Sequence, residues 1–236
     1  WSILTELGDR VTAIQFDLGI QNYSDPSRQI VEQFAQERNL PLVMIDVKNY
    51  LGYSMPELQQ KIHRPPCSIC GLTKRYLLNH YAFHHGFSVC ATGHNLDDET
   101  ATLLGNILRW REGYLKHQSP CLSSDYPGLV KKVKPFYTLT DQEILWYVEA
   151  MKIPFYNGVC PLSQRASSLD IKKALNIIEE QSPGTKHYFW LTFLEKQPIL
   201  FEDKKPSILQ NCIRCGMPTT QERCSFCTMI VTFQEK

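Results

Sequence analysis

The sequence predicts an α/β fold, a parallel sheet flanked by helices, with a small metal-bound module at its C-terminal end. Three observations predict it. Apolar runs of strand length alternate with stretches of helical period, the order that yields parallel strands joined by helical crossovers. Residues 67–99 set two thiols, a lysine, a strand-end glycine and three carboxylates along one helix–strand–helix passage. The tail carries Cys212-Ile-Arg-Cys215-Gly and Cys224-Ser-Phe-Cys227, two knuckles in a segment with too few apolar side chains to fold by burial alone.

The chain has 236 residues, 43% of them hydrophobic, enough for one α/β domain and a small appendage. It has no run of about 18 apolar residues, so no membrane span is expected. A net charge of +1 excludes a polyanion-binding surface spread over the whole chain. Local basic stretches remain: Arg109, Arg111 and Lys116, then Lys131, Lys132 and Lys134. Nine cysteines in a chain of this size, grouped in C-x-x-C units, favour metal ligation in a reducing compartment over disulfides.

The elements follow in order. Residues 1–7 read as the tail of an amphipathic helix closed by Gly8. Residues 10–17 form a buried strand ended by Asp17 and Gly19. A polar turn then leads to a helix over 27–38, where Ile30, Val31, Phe34 and Ala35 recur at helical spacing. A second strand spans 41–47. Ser54 and Glu57 make a capping box for a helix over 55–62. Pro65-Pro66 stops that helix and presents Cys67. A helix over 70–85, a strand over 87–92 and a helix over 97–109 follow. The stretch 110–130 reads as loop, with a fourth strand over 129–135. Thr140 and Glu143 box a helix over 141–151, and Ile153–Val159 reads as a strand delivering Cys160. Helices over 167–181 and 184–195 close the domain, residues 1–197. Pro198–Pro206 reads as a linker to the tail module, 198–236.

The tail's four thiols suit tetrahedral Zn²⁺, with Gly216 permitting the tight turn. Cys67 and Cys70 have no second C-x-x-C at ribbon distance. The other thiols are Cys90, inside an apolar strand, Cys121, in a loop, and Cys160, after a strand and before a proline. Three thiolates without a fourth ligand suit an iron–sulfur cluster with one open iron. Zinc with a water or histidine ligand and a redox dithiol are the alternatives. At Gly93 a nucleotide can approach the backbone, and Asp97, Asp98 and Glu99 can bind Mg²⁺ or move protons. The plainer reading of those acids is a helix N-terminus. Lys74 suits a phosphate contact or a solvated surface. His94 suits a structural hydrogen bond, and Tyr81, Phe83, Trp146 and Tyr147 suit the core.

Taken together, Pro66-Cys67-x-x-Cys70-Gly-x-x-Lys74-Arg75, Gly93-His-Asn-Leu-Asp-Asp-Glu99, Arg109-Trp-Arg, Val133-Lys-Pro135, Cys160-Pro161, Ser182-Pro-Gly-Thr-Lys-His187 and the terminal knuckles resemble the tRNA 2-thiouridine synthetases of the TtuA type. The resemblance covers essentially the whole chain. Enzymes of the TtcA type share the core, but they would not be expected to carry this tail. The resemblance implies an adenine nucleotide α-hydrolase-like (PP-loop) fold and 2-thiolation of a tRNA uridine. ATP and Mg²⁺ would activate the C2 carbonyl as an adenylate, and sulfide on the open iron of a [4Fe–4S] cluster would displace AMP. It implies Cys67, Cys70 and Cys160 as cluster ligands and Lys74 and Asp98 as catalytic. It also implies Gln15, Phe16 and Gly93 as nucleotide-binding, and Cys212, Cys215, Cys224 and Cys227 as zinc ligands. A ubiquitin-like thiocarboxylate carrier would bring the sulfur to a cytoplasmic homodimer. A Ser-Gly-Gly-Lys-Asp-Ser loop and an N-terminal zinc ribbon are expected ahead of Leu7. The chain begins at Trp1, after both, and so reads as N-terminally truncated. Overall similarity points to 5-methyluridine in the T loop as the substrate. Wobble-uridine thiolation, a zinc-only enzyme with a Cys67/Cys160 persulfide relay, and a non-catalytic tRNA-binding fragment are the competing readings.

Overall fold

The structure, a computed structural model, describes residues 1–123, 126–163, 167–201 and 208–235. It divides into two compact units: Trp1–Leu78 with Val148–Gln164 and Thr228–Lys236, and Asn79–Tyr147 with Arg165–Cys227. Both are α/β, as expected.

In the first unit, α1 (Ser2–Glu6) ends at Gly8, whose φ of +93° is the left-handed closure the sequence predicts. Strands β1 (Ala13–Asp17) and β2 (Leu42–Asp46) pair in parallel, from Ala13 opposite Leu42 to Asp17 opposite Asp46. The crossover helix α2 (Ser24–Glu37) begins three residues before the predicted start, because the Ser24 hydroxyl takes the Ile20 N–H and closes the turn. Asp46 caps α3 (Val47–Leu51), and Ser54 and Glu57 form the predicted capping box on α4 (Met55–Lys61). Gly19, at φ +65°, lets the chain pass so close to Ser54 that an added Cβ would meet its Cβ at 2.9 Å. Val47, Met55, Leu58, Ile62, Ile69 and Leu77 are buried. At the chain's end α11 (Ser225–Gln234) places Phe233 edge-on to Tyr53, ring centroids 4.2 Å apart, with Lys61 over its face. No helix was predicted there; the second knuckle's chain continues straight into it.

Helix α5 (Pro66–His84) starts four residues earlier than predicted and so includes both thiols of the first C-x-x-C. In the second unit β3 (Val89–Ala91) pairs in parallel with β5 (Lys131–Val133), which pairs antiparallel with β4 (Cys121–Leu122). Helix α6 (Leu96–Ile107) follows β3. The predicted loop 110–130 contains α7 (Glu112–Leu115) as well as β4. Helices α8 (Asp141–Ala150), α9 (Ser167–Gln181) and α10 (Thr185–Leu200) lie where the periodicity places them. Leu96, Leu103, Leu115 and Trp190 form the core between α6, α7 and α10. Strands β6 (Gln210–Asn211) and β7 (Pro218–Thr219) hold the first knuckle.

Several expectations fail. Residues 153–159 pair with no strand among the described residues; Pro154 withholds a ladder donor, and the Tyr156 side chain packs over Gly158. The expected linker starts inside α10, which tolerates Pro198 in its last turn, and residues 202–207 lie outside the described residues. Trp146 is 60% exposed and Phe83 is exposed too, so neither is a core residue. In the second basic stretch the Lys134 ammonium is taken up inside the fold, donating to buried Glu99 at 2.8 Å.

Candidate functional site

Pro66 opens α5, where its missing N–H is no loss, and the Pro65 carbonyl accepts the N–H of Ser68 at 2.9 Å. Cys67, Cys70 and Lys74 then stand about one turn apart, so they share a helix face. Cys160 arrives from a segment far along the sequence. Its carbonyl accepts both the N–H and the hydroxyl of Ser163, at 3.0 and 2.8 Å, which fixes the 3₁₀ turn Pro161–Ser163. All four side chains line one cavity of about 220 Å³, with Leu18, Ile20, Tyr23, Gln59 and Leu162 around them.

The electrostatics agree with the geometry. Burial pushes the Cys67 thiol up, the neighbouring Cys160 adds to this, and Lys74 opposes it. Burial likewise raises Cys70, again against Lys74 and with Cys160. Tyr23 is raised by burial and then by Cys160 and Cys70. The Cys67 and Cys70 thiols would need a further cation beside them to ionise readily, since Lys74 does not offset their burial. The donor set fits an iron–sulfur cluster. The ligands are soft, the lining is largely apolar, and the three thiols share a cavity without forming one of the tight groups that a single ion would take, as suits thiolates on different irons.

The tail thiols are arranged differently. Cys212, Cys215, Cys224 and Cys227 form the one group among the described residues whose ligand atoms all lie within 4.8 Å of one another. Cys215 and Cys224 Sγ are 3.8 Å apart. A tetrahedral ion with Zn–S bonds of about 2.3 Å requires roughly that separation. Gly216, at φ +72°, turns the first knuckle and donates to the Cys212 carbonyl at 2.8 Å. Burial works against ionisation of Cys212, yet N–H donors from Cys224, Arg214 and Cys215 outweigh it and hold the thiol down at about 6. Burial raises Cys224, and burial with the Cys215 and Cys224 thiols raises Cys227. Like charges in one pocket demand a cation, and these four fit one divalent ion.

The remaining candidates separate between the units. In the first, Gln15 and Phe16 lie on β1 opposite Met44 and Ile45. Gln15 Nε2 donates to the Ser27 hydroxyl at 3.4 Å, while its Oε1 is buried with no donor among the described residues. In the second, Gly93 is exposed just before α6, and a Cβ built on it meets nothing within 4 Å. Asn95 and Asp98 form a capping box on α6. The Asp98 carboxylate also pairs with Lys172 at 2.7 Å, and Lys172 reaches Asp141 at 3.2 Å. Both readings of the acidic triplet are therefore visible. Asp97 and Glu99 are buried structural anions paired with Lys186 and Lys134, and Asp98 is the partly accessible one. His94 shares a 2.8 Å hydrogen bond with the Thr92 hydroxyl, the structural role expected of it.

Sequence reasoning missed Tyr23, Gln59 and Lys172. Tyr23 and Gln59 lie in no motif, and Lys172 sits on an amphipathic helix where any solvated lysine looks the same.

Comparison with protein-family profiles finds no match. Individual proteins do match. The tRNA-5-methyluridine(54) 2-sulfurtransferase of Thermus thermophilus is 42% identical over 229 residues, which is 97% of this chain and 71% of that protein. The one from Thermotoga maritima is 40% identical, over 97% of this chain and 75% of its own length. Among solved structures, the U34-tRNA thiolase NcsA from Methanococcus maripaludis with its [4Fe-4S] cluster superposes with a TM-score of 0.78. It covers 92% of this chain and 69% of its own, at 24% identity, a likeness of fold.

Proposed function

The chain belongs to the tRNA-5-methyluridine(54) 2-sulfurtransferase family, and from that premise we propose which of its residues carry the reaction. The reaction is 2-thiolation of the 5-methyluridine at tRNA position 54: sulfur replaces the C2 oxygen of the base.

Oxygen at C2 is a poor leaving group, so ATP with Mg²⁺ converts it into an adenylate, and AMP leaves when sulfur attacks. The observation that carries the site assignment is the single cavity lined by Cys67, Cys70, Cys160 and Lys74. A [4Fe–4S] cluster held by these three thiolates would supply an iron position free to present sulfide as a deprotonated nucleophile. Lys74, on the same helix face, offsets negative charge brought in by phosphate and thiolates. The apolar walls, Leu18, Ile20 and Leu162, exclude water that would compete with sulfur for the activated carbon. Asp98 takes the catalytic acid or Mg²⁺ role, exchanging its Lys172 partner for the ion. Gln15, Phe16 and Gly93 form the nucleotide contacts. Gln15 Oε1 has no hydrogen-bond donor among the described residues, and the open space over Gly93 lets a ligand atom approach its backbone. The four tail thiols bind a structural zinc ion, and residues 1–197 and 198–236 divide the labour between catalysis and this module. The sulfur comes from a ubiquitin-like thiocarboxylate carrier, the assembly is a homodimer, and the compartment is the reducing cytoplasm. Among the described residues no helix is long and apolar enough to cross a membrane.

The test is iron, labile sulfide and the visible spectrum of protein purified without oxygen. About four irons and four sulfides per chain are expected, with the stoichiometry of the cluster type. Cys160→Ala should lose the visible absorbance and thiolation while still forming AMP-activated tRNA. Thiolation retained in that variant refutes the three-ligand assignment. Zinc as the sole metal, with no visible absorbance, would favour a persulfide relay through Cys67 and Cys160.

A further inference from the structure

The turn after α6 is built to display one side chain. Leu108 to Tyr114, Leu-Arg-Trp-Arg-Glu-Gly-Tyr, is exposed at every residue, and Trp110 is 83% exposed. Its backbone stands at φ +47°, a region bulky L-residues disfavour and glycine or asparagine would occupy freely. The turn does not wander into that state. The N–H groups of Arg109 and Arg111 both bond the Asn106 carbonyl, at 3.3 and 2.9 Å, and Trp110 N–H bonds that of Ile107 at 3.0 Å.

Beneath it lies a set of buried amides. Asn106 Nδ2 donates to Gln118 Oε1 at 3.0 Å, and Gln118 Nε2 donates to the Glu99 carbonyl at 3.0 Å. Gln197 Nε2 donates to the carbonyls of Leu115 and Gln118, at 2.7 and 2.9 Å. Buried amides with satisfied partners hold a segment in one geometry. A turn that only reversed the chain would need neither this anchoring nor a tryptophan at its left-handed residue.

The charge around the indole has one sign. Arg109 and Arg111 flank it, and Arg111 lies over the Tyr114 ring at 5.7 Å. Arg109 Nη1 donates to the Gly105 carbonyl at 3.1 Å, which sets its guanidinium at the end of α6. The turn's one acid, Glu112, is neutralised by Lys116 at 2.7 Å. An exposed indole between guanidinium groups is the combination that stacks on an unpaired base while the cations meet its phosphates.

We infer that the Arg109–Trp110–Arg111 turn is an RNA-contact site, with Trp110 stacking on an unpaired base of the tRNA and the two arginines holding the flanking backbone. This rests on the tRNA-thiolation reading and adds a specific docking element to it. An apolar protein partner is the competing occupant; the paired arginines and the neutralised acid favour the polyanion.

The experiment measures tRNA affinity by fluorescence anisotropy across a salt series, using the full chain. Trp110→Ala should weaken binding roughly 5- to 150-fold, the range of one lost base–aromatic stack. Trp110→Phe should recover most of that, because any aromatic face stacks. Arg111→Gln should lower the salt slope by about one. Circular dichroism melts should superpose for all three, since the side chains are exposed. Wild-type affinity in Trp110→Ala overturns the inference, as does a Trp110→Phe variant no better than alanine. A changed oligomer mass with unchanged tRNA affinity would assign the turn to a protein partner and overturn it too. Failure of the wild-type chain to bind any tRNA would sink the functional reading itself, a distinguishable result.

Discussion

Replacing Lys186 by methionine would test what holds Asp98 in place. The Lys186 and Asp97 side chains are 7% and 4% exposed and form a direct ion pair. The Lys186 ammonium also donates to Asn176 Oδ1 at 2.5 Å. Asp97 uses its second oxygen to accept the Asp141 N–H at 2.8 Å, tying the start of α8 to the start of α6. Lys186→Met keeps the volume but strips the buried carboxylate of its counter-charge. Breaking a buried pair from one side costs about 3–5 kcal/mol. The surviving Asp141 N–H partly compensates the carboxylate, which places the loss near the low end, about 3 kcal/mol. For a chain of this length that lowers Tm by roughly 6–12 °C. Urea melts of both proteins, read by tryptophan fluorescence, give the difference directly. Adding Asp97→Asn to Lys186→Met should restore part of the loss by removing the orphaned charge. Thiolation should fall as well, because Asp98 follows Asp97 in the first turn of α6. A loss below about 1 kcal/mol, or a double variant worse than both singles combined, would refute the view that this pair fixes the site.

Two further outcomes are expected of the tail thiols and of the α8 cap. Cys224→Ser should cost the chain about one zinc ion, measured by plasma emission, and should expose the buried Cys212 and Cys227 thiols to Ellman's reagent; unchanged zinc would remove the tail site. Glu143 accepts the Thr140 N–H at 2.7 Å and hydroxyl at 2.8 Å, which hold its carboxyl below the usual range. A carboxyl depressed in the folded state stabilises above its unfolded pKa and loses that contribution as pH falls through the folded one. Glu143→Gln should therefore cost about 0.5 kcal/mol at pH 7 and nothing near pH 2, since the group is exposed and screened. Urea midpoints at the two pH values check this, and a gap that persists in acid would contradict it.

Much of the local structure was legible because its causes lie within four residues. Capping boxes at Ser54/Glu57 and Thr140/Glu143 are side chain–backbone exchanges across one turn, and both formed as predicted. The box on α6 escaped notice because Asn95 and Asp98 sit inside a motif whose acids invited a chemical reading. The strand expected over 153–159 failed because apolar character alone does not supply a ladder partner. Trp146 and Phe83 were assigned to the core on hydrophobicity, although whether a helix face is covered depends on what the rest of the chain lays against it.

The sequence by itself located the two candidate metal sites. Cysteines three apart can present both sulfurs to one side, but the tail is richer in core than its sequence suggested, burying Met217, Phe226, Met229, Ile230 and Phe233. It also determined the family, since the motifs are spelled in consecutive residues. Only the tertiary structure decided that Cys160 shares a cavity with Cys67, Cys70 and Lys74, and that Tyr23 lies among them. Only it separated the three neighbouring acids into two buried counter-ions and one partly accessible carboxylate held by Lys172. The physical reason is the range of the forces. Caps and knuckles are set by bonds across one turn, whereas burial and counter-charge depend on which distant segments the folded chain packs together.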